Sequence, residues 1–489
     1  MRRLLSIAAF SYLSIIFLGC NSEKETDPLQ KKIGEKQLKE DFTVFRRILD
    51  AAHPSLNVYL NEAQSEKILD SLYGTLNGNL TLGEFYNKIF FFINEIKDAH
   101  SFISLPADVI DTLYNRVLFF PLPVILIDNK LLVNADDDFP HGTEIISVNN
   151  IPAEEILKSL SVYNPVDGTQ EHTQKVLAAT DFGFQFYARY GGYKEFSVSL
   201  KDTVGNINRL EIVKSVNLDE LYKREANRYY LDQTDVPYFL DINESSGYAI
   251  LRLSTFEFSS KNQRNAFKSF ISNSFELLRK KPECNNLLID IRENDGGYLY
   301  ESFLVFSYLT NKPFNEYKAV YTKLKKLPYV SYLSDSYGSA EIEEINDNIK
   351  NEFVKIAPFK YAYADSLNEE WLPSENRYTG NVFVITNAGV MSSASYLAAL
   401  VKNSGTGKVV GTETGGGGQS GNGFTNIEYK LPNSRIKLRF SYARLHYTNG
   451  AALKASGVLP DFYVPDTDSS FFHNEDRQII FIKDSIIRK

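Results

Sequence analysis

The sequence predicts an α/β protein, because apolar strand patterns alternate with helical patterns through its C-terminal half. The alternation comprises these segments in order: 247–254 (strand), 261–280 (helix), 286–291 (strand), 300–311 (helix), 380–386 (strand) and 393–402 (helix). Such alternation favours a mostly parallel sheet that is covered by helices. Residues 436–444 alternate strictly between apolar and polar positions, which predicts a half-exposed strand, whereas 312–378 form a polar, Tyr-rich insertion.

Length and charge limit the classes of protein that remain. A chain of 489 residues is too long for one core and predicts two or three domains. The hydrophobic and charged fractions, 43% and 23%, are ordinary for a globular protein. The formal net charge of -8 argues against nucleic acid as a partner, because phosphate binding needs a basic surface.

The N-terminus has the features of a secretory leader. Arg2 and Arg3 precede an apolar run that ends in Leu-Gly before Cys20, and the run is too short to span a membrane comfortably. This junction resembles the lipobox of bacterial lipoproteins, which implies a signal peptide at 1–19, a lipid on Cys20, a tether at 20–35 and anchoring in the bacterial cell envelope. The alternative is ordinary signal cleavage beside an incidental cysteine.

Two further domains are predicted before the C-terminal half. Residues 36–117 show helical spacing of apolar side chains, including a capping-box pattern at Thr81 and Glu84. Residues 118–215 change to short strands, and 142–160 resemble one strand and one helix of a PDZ domain. No carboxylate-binding Gly-Leu-Gly-Phe loop is present there. The remainder, 216–489, is predicted to be the core domain.

The turn at 387–392 places serines between a buried strand and a helix. A side chain at such a corner is presented outward, at the positive end of a helix whose free amides favour negative charge. Ser393 followed by Ala394 therefore suits a nucleophile whose next amide helps to bind an oxyanion. The alternative is that Ser392 or Ser393 simply caps the helix.

A second segment, 290–297, reads Asp-Ile-Arg-Glu-Asn-Asp-Gly-Gly at the end of a buried strand. Arg292 and Asn294 have side chains that can fix the loop by hydrogen bonds. Gly296 and Gly297 would let backbone amides approach a substrate without a Cβ in the way. The alternative is a structural glycine turn beside a charged pair.

These motifs together resemble the S41 family of serine peptidases. The order is 290–297, then 386–397, then the Gly-rich segment 410–417, then the Gly-Val-Leu-Pro-Asp segment 457–461. The resemblance spans about 245–465 and implies a ClpP/crotonase-like core preceded by the helical and PDZ-like domains. It also implies Ser393 as nucleophile.

The same resemblance implies an oxyanion hole formed by the amides of Gly296, Gly297 and Ala394. One branch of the family takes its base from a lysine about twenty-five residues after the serine, where this chain has Gly418. A tricorn-like branch uses a histidine that follows the helical segment, and His100 matches that place. The alternative for His100 is a structural role, and His446 is the next candidate base.

The tricorn-like branch also carries an orienting glutamate before the Gly-Val-x-Pro-Asp segment, where this chain has Lys454. Glu413, Asp98 or Ser101 would take over that role, or the role is absent; Glu413 has the alternative of holding the Gly-rich loop. We predict no cofactor and no metal, since zinc-ligand and phosphate-loop motifs are missing.

The sequence therefore predicts a membrane-anchored serine peptidase acting on peptides or unfolded protein C-termini by acyl-enzyme chemistry. Two alternatives remain: a non-catalytic binding lipoprotein of the same fold, and a peptide-recognition module in which only the PDZ-like part is active.

Overall fold

The computed structural model describes residues 27–487, apart from 117, 137, 203–207, 230–235 and 448–455. The predicted signal peptide, Cys20 and Lys454 lie outside the described residues. None of the described helices is both long enough and apolar enough to cross a bilayer.

The N-terminal part is mainly helical. Its elements are β1 (Lys32–Ile33), α1 (Glu35–Ala52), α2 (Glu62–Gly74), β2 (Leu80–Thr81), α3 (Leu82–Ile96), β3 (Phe102–Ser104) and α4 (Ala107–Tyr114). The capping box predicted at Thr81 and Glu84 is confirmed: the Glu84 amide donates to Thr81 Oγ1 at 3.2 Å, and the Thr81 amide donates to Glu84 Oε2 at 2.7 Å. The helix ends at Ile96, where Lys97 adopts the left-handed conformation with a φ of 60°, shortly before His100.

The middle part is an antiparallel sheet with helices packed on it. Its elements are β4 (Val124–Ile127), β5 (Lys130–Val133), β6 (Glu144–Val148), β7 (Ile151–Pro152), α5 (Ala153–Leu160), α6 (Glu171–Thr180), α7 (Phe182–Tyr190), β8 (Glu195–Lys201), β9 (Asn208–Lys214) and α8 (Leu218–Ala226). The strands run in the order β4-β5-β6-β8-β9, and β7 pairs with β6. A hydrophobic cluster of its own, which includes Phe120, Phe186 and Phe196, lies beneath this sheet.

The C-terminal part contains the main sheet and its covering helices. Its elements are β10 (Tyr238–Asn243), β11 (Tyr248–Leu253), α9 (Lys261–Arg279), β12 (Asn286–Asp290), α10 (Leu299–Ser307), β13 (Phe314–Asn315), β14 (Ala319–Thr322), α11 (Ser339–Glu352), β15 (Phe353–Ala357), β16 (Lys360–Tyr363), β17 (Glu370–Trp371), β18 (Asn381–Thr386), α12 (Ser392–Ser404), β19 (Lys408–Gly411), β20 (Ser420–Gly421), β21 (Asn426–Lys430), β22 (Lys437–Ser441), β23 (Ala443–His446), β24 (Phe462–Tyr463), α13 (Asp468–Phe472) and α14 (Arg477–Ile482).

The main sheet has the order β10-β11-β12-β18-β19-β24, and every neighbouring pair except β10 with β11 is parallel. The predicted α/β class with a mostly parallel sheet is therefore confirmed. All five residues of β12 are buried, as expected for a strand covered on both faces. Because β12 and β18 are parallel neighbours, the loops that follow them lie at the same edge of the sheet.

The strand predicted at 436–444 is two strands in the structure. Residues of β22 pair with β21 and with β3, whereas β23 pairs with β14 and β20. The chain changes sheets at Tyr442, which alternation of apolar residues could not reveal, because both strands bury the same kinds of side chain. The pairing of β22 with β3, in register Leu438 to Ile103, joins the segment after α3 to the C-terminal part.

Candidate active site

Ser392 begins helix α12 at the carboxyl edge of the main sheet. Strand β18 ends at Thr386, and the turn that follows brings Ser392 into the left-handed region with a φ of 46°. A non-glycine residue in this region is uncommon, and such strain is concentrated at functional positions. In this conformation Ser392 Oγ lies 3.1 Å from His100 Nε2.

His100 is held in place by the side chain of Asp98. The His100 amide donates to Asp98 Oδ1 at 3.0 Å, which closes a tight turn directly after α3. The imidazole is 15% exposed, while the Asp98 side chain is 2% exposed. His100 Nδ1 lies 3.9 Å from Asp98 Oδ1 and has no hydrogen-bond partner among the described residues.

Asp98 is in turn bound by two groups from its other side. The buried His53 accepts the Ser55 amide on Nδ1 at 3.1 Å, which leaves its proton on Nε2. His53 Nε2 lies 2.7 Å from Ser101 Oγ and 3.2 Å from Asp98 Oδ2, and the Ser101 hydroxyl donates to the same carboxylate oxygen. The Ser101 hydroxyl therefore bonds to Asp98 and His53 rather than to the ring of His100.

Opposing effects act on the pKa values of this buried pair. Burial lowers the pKa of His53, which keeps its imidazole neutral near pH 7. Burial by itself would raise the pKa of Asp98, but hydrogen bonds from His53 and Ser101 and the nearby imidazoles bring it well below its ordinary value. Asp98 is thus a permanent negative charge beside His100.

Ser393 does not lie at His100, although the sequence predicted it as the nucleophile. Its side chain is fully buried, its Oγ has no partner among the described residues, and its carbonyl accepts from Ser302 Oγ at 2.7 Å. Successive helical residues are rotated by about 100°, so Ser392 and Ser393 cannot face the same group. The predicted contact of Ser393 with His100 is wrong, and Ser392 makes that contact instead.

The predicted oxyanion amides also differ from what the structure places at the site. The Ala394 amide donates to the carbonyl of Met391 at 3.0 Å, and the Gly296 amide donates to Asn294 Oδ1 at 2.9 Å, so both are already engaged. In the described part of the chain, the amides of Gly297 and Ser393 donate to no protein acceptor. Ser393 directly follows Ser392, and Gly297 directly follows Gly296, whose Cβ position lies against Ser392, so these two amides are available for a developing negative charge.

The glycine loop after β12 lies directly against Ser392. A Cβ on Gly296 would be 2.7 Å from Ser392 Cβ and 3.0 Å from the Ser393 nitrogen, and its φ of 100° also favours glycine. Asn294 fixes this loop, because its Nδ2 donates to the carbonyl of Leu253 at 2.9 Å while its carbonyl accepts from the Met391 amide at 3.0 Å. The loop and the serine turn are therefore joined by a backbone hydrogen bond.

Arg292 anchors the same loop to the C-terminus of the chain. It donates to Asp290 through Nε and Nη2, at 2.9 and 2.8 Å, and also contacts Asp476 and Gln478 just before and within α14. Burial alone would raise the pKa of Asp290, but the charges of Arg292 and Arg252 hold it below its ordinary value. This ion-pair group supports the loop and is not directed at Ser392.

The Gly-rich loop covers the serine and the histidine. A Cβ on Gly423 would lie 2.9 Å from His100 Nε2 and 3.4 Å from Ser392 Oγ, and a Cβ on Gly416 would lie 2.7 Å from the Ser392 nitrogen. Only backbone without side chains fits at these two places. The predicted Gly-rich segment is thus part of the site, through steric fit rather than through phosphate binding.

Asp167 was missed by sequence reasoning. It comes from the middle part of the chain, just before α6, and is 4% exposed. Its Oδ1 accepts from the Ala99 amide at 3.0 Å, and its Oδ2 accepts from the Gly417 amide at 2.9 Å. The sequence offers only an Asp-Gly pair at 167–168, which is typical of a turn, and nothing in the local pattern connects it with His100.

The remaining predicted residues lie away from His100. Glu413 Oε1 accepts from the Gly457 amide at 2.8 Å, which matches its alternative role of holding the Gly-rich region. His446 belongs to β23 and packs edge-on against the Tyr321 ring, and burial lowers the pKa of its imidazole to about 4. His446 is therefore not the partner of either serine.

One group of described residues has the composition of a metal site. Asp98, His100 and Asp167 each offer one ligand atom within 4.8 Å of the others. The carboxylate oxygens are already committed, however, to backbone amides, to His53 and to Ser101. This donor set fits an imidazole held between two carboxylates better than it fits a cation.

Comparison with known proteins finds a family match for the part of the chain that contains Ser392. Residues 247–464 match the family model described as "Peptidase family S41". This match identifies an S41 peptidase region at residues 247–464. Comparison with curated protein sequences gives no match.

Solved structures with a similar fold extend over nearly the whole chain. A crystal structure of a CPAF mutant is 13% identical with a TM-score of 0.68, and mature CPAF complexed with lactacystin is 14% identical with a TM-score of 0.64; in both comparisons 93% of this chain and 98% of the other are covered. The photosystem II D1 C-terminal processing protease is 15% identical over 88% of this chain and 93% of its own, with a TM-score of 0.43. At these identities the CPAF structures support the fold, which is an S41 core with additional domains.

Proposed function

We propose that this chain is a serine peptidase in which Ser392 is the nucleophile and His100 is the general base. The observation that carries the proposal is the 3.1 Å separation of His100 Nε2 from Ser392 Oγ. This distance is within hydrogen-bond reach, as a nucleophile and its base require. The family membership of residues 247–464 supports peptide or protein substrates.

The residues of the site account for each step of acyl transfer. Nε2 of His100 takes the proton of Ser392 as Oγ attacks the scissile carbonyl, and the amides of Ser393 and Gly297 stabilise the resulting oxyanion. His100 then gives this proton to the leaving amine as the C–N bond breaks. Water attacks the acyl-enzyme with His100 again as base, which releases the acid and restores the Ser392 hydroxyl.

Labelling with a fluorophosphonate probe tests the assignment. The full chain is compared with Ser392→Ala, Ser393→Ala and His100→Ala, with casein hydrolysis measured in parallel. We expect Ser392→Ala to abolish labelling and His100→Ala to slow it by roughly a hundred- to ten-thousandfold. Ser393→Ala is the matched control, because it removes a buried hydroxyl without a partner and should leave labelling intact.

Two outcomes would contradict the proposal. Loss of labelling in Ser393→Ala with retention in Ser392→Ala would return the role to Ser393. A wild-type chain that is neither labelled nor active on casein would favour the alternative of a non-catalytic binding lipoprotein.

We further propose that the peptidase is anchored in the bacterial cell envelope through a lipid on Cys20, and that residues 118–215 act as a PDZ-like substrate-binding domain. The leader pattern and the Gly-Thr-Glu-Ile-Ile-Ser-Val segment support these two proposals. Metabolic labelling with a fatty-acid probe, compared between wild type and Cys20→Ser, tests the anchor. Saturable binding of an unfolded peptide, weakened by substitutions within 118–215 of the full chain, tests the second role.

A further inference from the structure

The Nδ1 atom of His100 has no assigned partner in the proposed mechanism. When Nε2 accepts the proton of Ser392, the other imidazole nitrogen, Nδ1, carries a proton that needs an acceptor. His100 Nδ1 is buried and has no hydrogen-bond partner among the described residues.

Two carboxylates lie near the imidazole of His100. Asp98 Oδ1 is 3.9 Å from Nδ1 and accepts from the His100 amide, and the other oxygen of Asp98 is engaged by His53 and Ser101. Asp167 is the second carboxylate, and its oxygen lies within 4.8 Å of the histidine in the group formed with Asp98. Both of its oxygens accept backbone amides, from Ala99 and Gly417.

These amide bonds place Asp167 between two elements of the site. Ala99 directly precedes the base, and Gly417 belongs to the Gly-rich loop that covers Ser392. Asp167 thus holds the backbone just before His100 and the loop that covers Ser392. Burial raises the pKa of the Asp167 carboxyl, whereas the nearby His100 and the two amide bonds act to lower it.

We propose that Asp167 is the positioning residue of His100: it orients the imidazole and stabilises the imidazolium that forms when Ser392 loses its proton. This inference rests on the proposed function and adds a residue to it. The middle part of the chain would then contribute a residue to the active site.

Other charged and titratable groups surround the pair and set the background for a pH test. Asp98 faces His100 from its own turn, and His53 lies behind Asp98. Tyr59 and Tyr447 lie near Asp167; burial, and to a lesser degree the charge of Asp167, raises the pKa of both hydroxyls, so they stay neutral. Arg444 is next to Tyr59, at 5.7 Å from its ring, and donates to the hydroxyls of Ser55 and Ser420.

The test is the rate of fluorophosphonate labelling of the full chain from pH 5 to pH 9. In Asp167→Asn the negative charge is lost while one carbonyl oxygen remains to accept an amide. Without this charge the protonated imidazole of His100 is less stable, so the acid limb of the rate profile is expected to move to lower pH by about one unit. The plateau rate is expected to fall about tenfold, because the imidazolium is less stabilised in the transition state.

The matched control is Asp41→Asn. Asp41 is also buried and accepts two backbone amides, from Asn433 at 2.9 Å and Ser434 at 2.7 Å, but it does not contact the site. We expect this control to lower the melting temperature and to leave both the acid limb and the plateau of labelling unchanged. It thereby separates a loss of structure from a loss of charge at His100.

A second variant keeps the inference testable if Asp167→Asn does not fold. Asp167→Glu keeps the charge but moves the carboxylate by one methylene, so the plateau is expected to fall while the acid limb stays at the wild-type pH. An acid limb that is unchanged in Asp167→Asn, or displaced to lower pH in Asp167→Glu, would overturn the inference. If the wild-type chain is not labelled at all, the proposed function fails instead, so the two failures are distinguishable.

Discussion

His100 Nε2 lies 3.1 Å from Ser392 Oγ, although 292 positions separate the two residues. Two turns supply the atoms of this contact: the turn after α3 carries His100, and the turn between β18 and α12 carries Ser392. The pairing of β3 with β22 joins the segment that follows His100 to the C-terminal part of the chain. Changes at the loops around this contact should therefore alter activity in predictable ways.

Gly423→Ala is expected to disable the site without unfolding the chain. The new Cβ would lie 2.9 Å from His100 Nε2, so the imidazole must move away from Ser392. We expect at least a tenfold fall in the rate of fluorophosphonate labelling, because the base loses its hydrogen-bond geometry. Gly74→Ala is the control, since nothing lies within 4 Å of a Cβ there. Normal labelling of the Gly423 variant would show that the loop does not press on the pair.

Asn294→Ala should loosen the loop that carries Gly297. The substitution leaves the Gly296 amide and the Leu253 carbonyl without their partners in a buried place. We expect a loss of about 2–3 kcal/mol in the free energy of unfolding, measured by urea denaturation. Casein hydrolysis should fall by roughly a hundredfold, because a displaced Gly297 amide no longer reaches the oxyanion. Unchanged hydrolysis in a folded variant would remove this loop from the oxyanion site.

The ion pairs of Asp290 should give the chain a dependence of stability on acid pH. Because its pKa is lower in the folded chain than in the unfolded one, its contribution is present above about pH 4 and is lost as the pH falls through the folded pKa. Asp290→Asn is expected to be less stable by about 3 kcal/mol at pH 7 and to lose less than wild type below pH 4. Urea denaturation from pH 2 to pH 7 measures both. The exposed Asp335→Asn serves as control, and parallel wild-type and Asp290→Asn curves would contradict the assignment.

Glu301 should act in the opposite direction. It is 1% exposed, its Oε2 has no partner among the described residues, and burial raises its pKa to about 7. The folded chain favours the neutral carboxyl, so the free energy of unfolding is highest below about pH 4 and falls as the pH rises through about 7. Glu301→Gln is expected to match wild type near pH 4 and to be more stable at pH 8.

Thermal unfolding of wild type and of Glu301→Gln at several pH values checks this expectation. The control is Glu276→Gln, which removes an exposed ion-pair partner of Lys280 near the end of α9. Its melting temperature should follow the wild-type curve closely. A Glu301 variant that is no more stable than wild type at pH 8 would show that the carboxylate finds a partner when it ionises.

Local patterns were sufficient for most of the fold. The buried strand at β12, the capping box at Thr81 and the helix after β18 follow from apolar spacing and from hydrogen bonds between near neighbours. Patterns of this kind could not reveal that the strand predicted at 436–444 divides at Tyr442 between two sheets. That division depends on which strands lie beside it.

The choice between neighbouring serines shows the same limit at the site. Sequence motifs placed the nucleophile at this turn, but Ser392 and Ser393 differ only by a rotation of about 100° about the helix. The left-handed φ of Ser392 and the lack of a side chain at Gly423, where a Cβ would lie 3.4 Å from Ser392 Oγ, allow the Ser392 hydroxyl to meet His100. His100 and Gly423 come from segments that are distant in the sequence.

The sequence by itself determined the α/β class, the S41 resemblance, the serine turn and His100 as the base to test, since each depends on residue types at fixed spacing. Only the tertiary structure decided that Ser392 rather than Ser393 faces His100, that the amides of Gly297 and Ser393 are the available ones, and that Asp167 lies beside the base. The physical reason is that hydrogen bonds and steric fit act between atoms a few ångströms apart, whereas the residues that supply those atoms come from three separate parts of the chain.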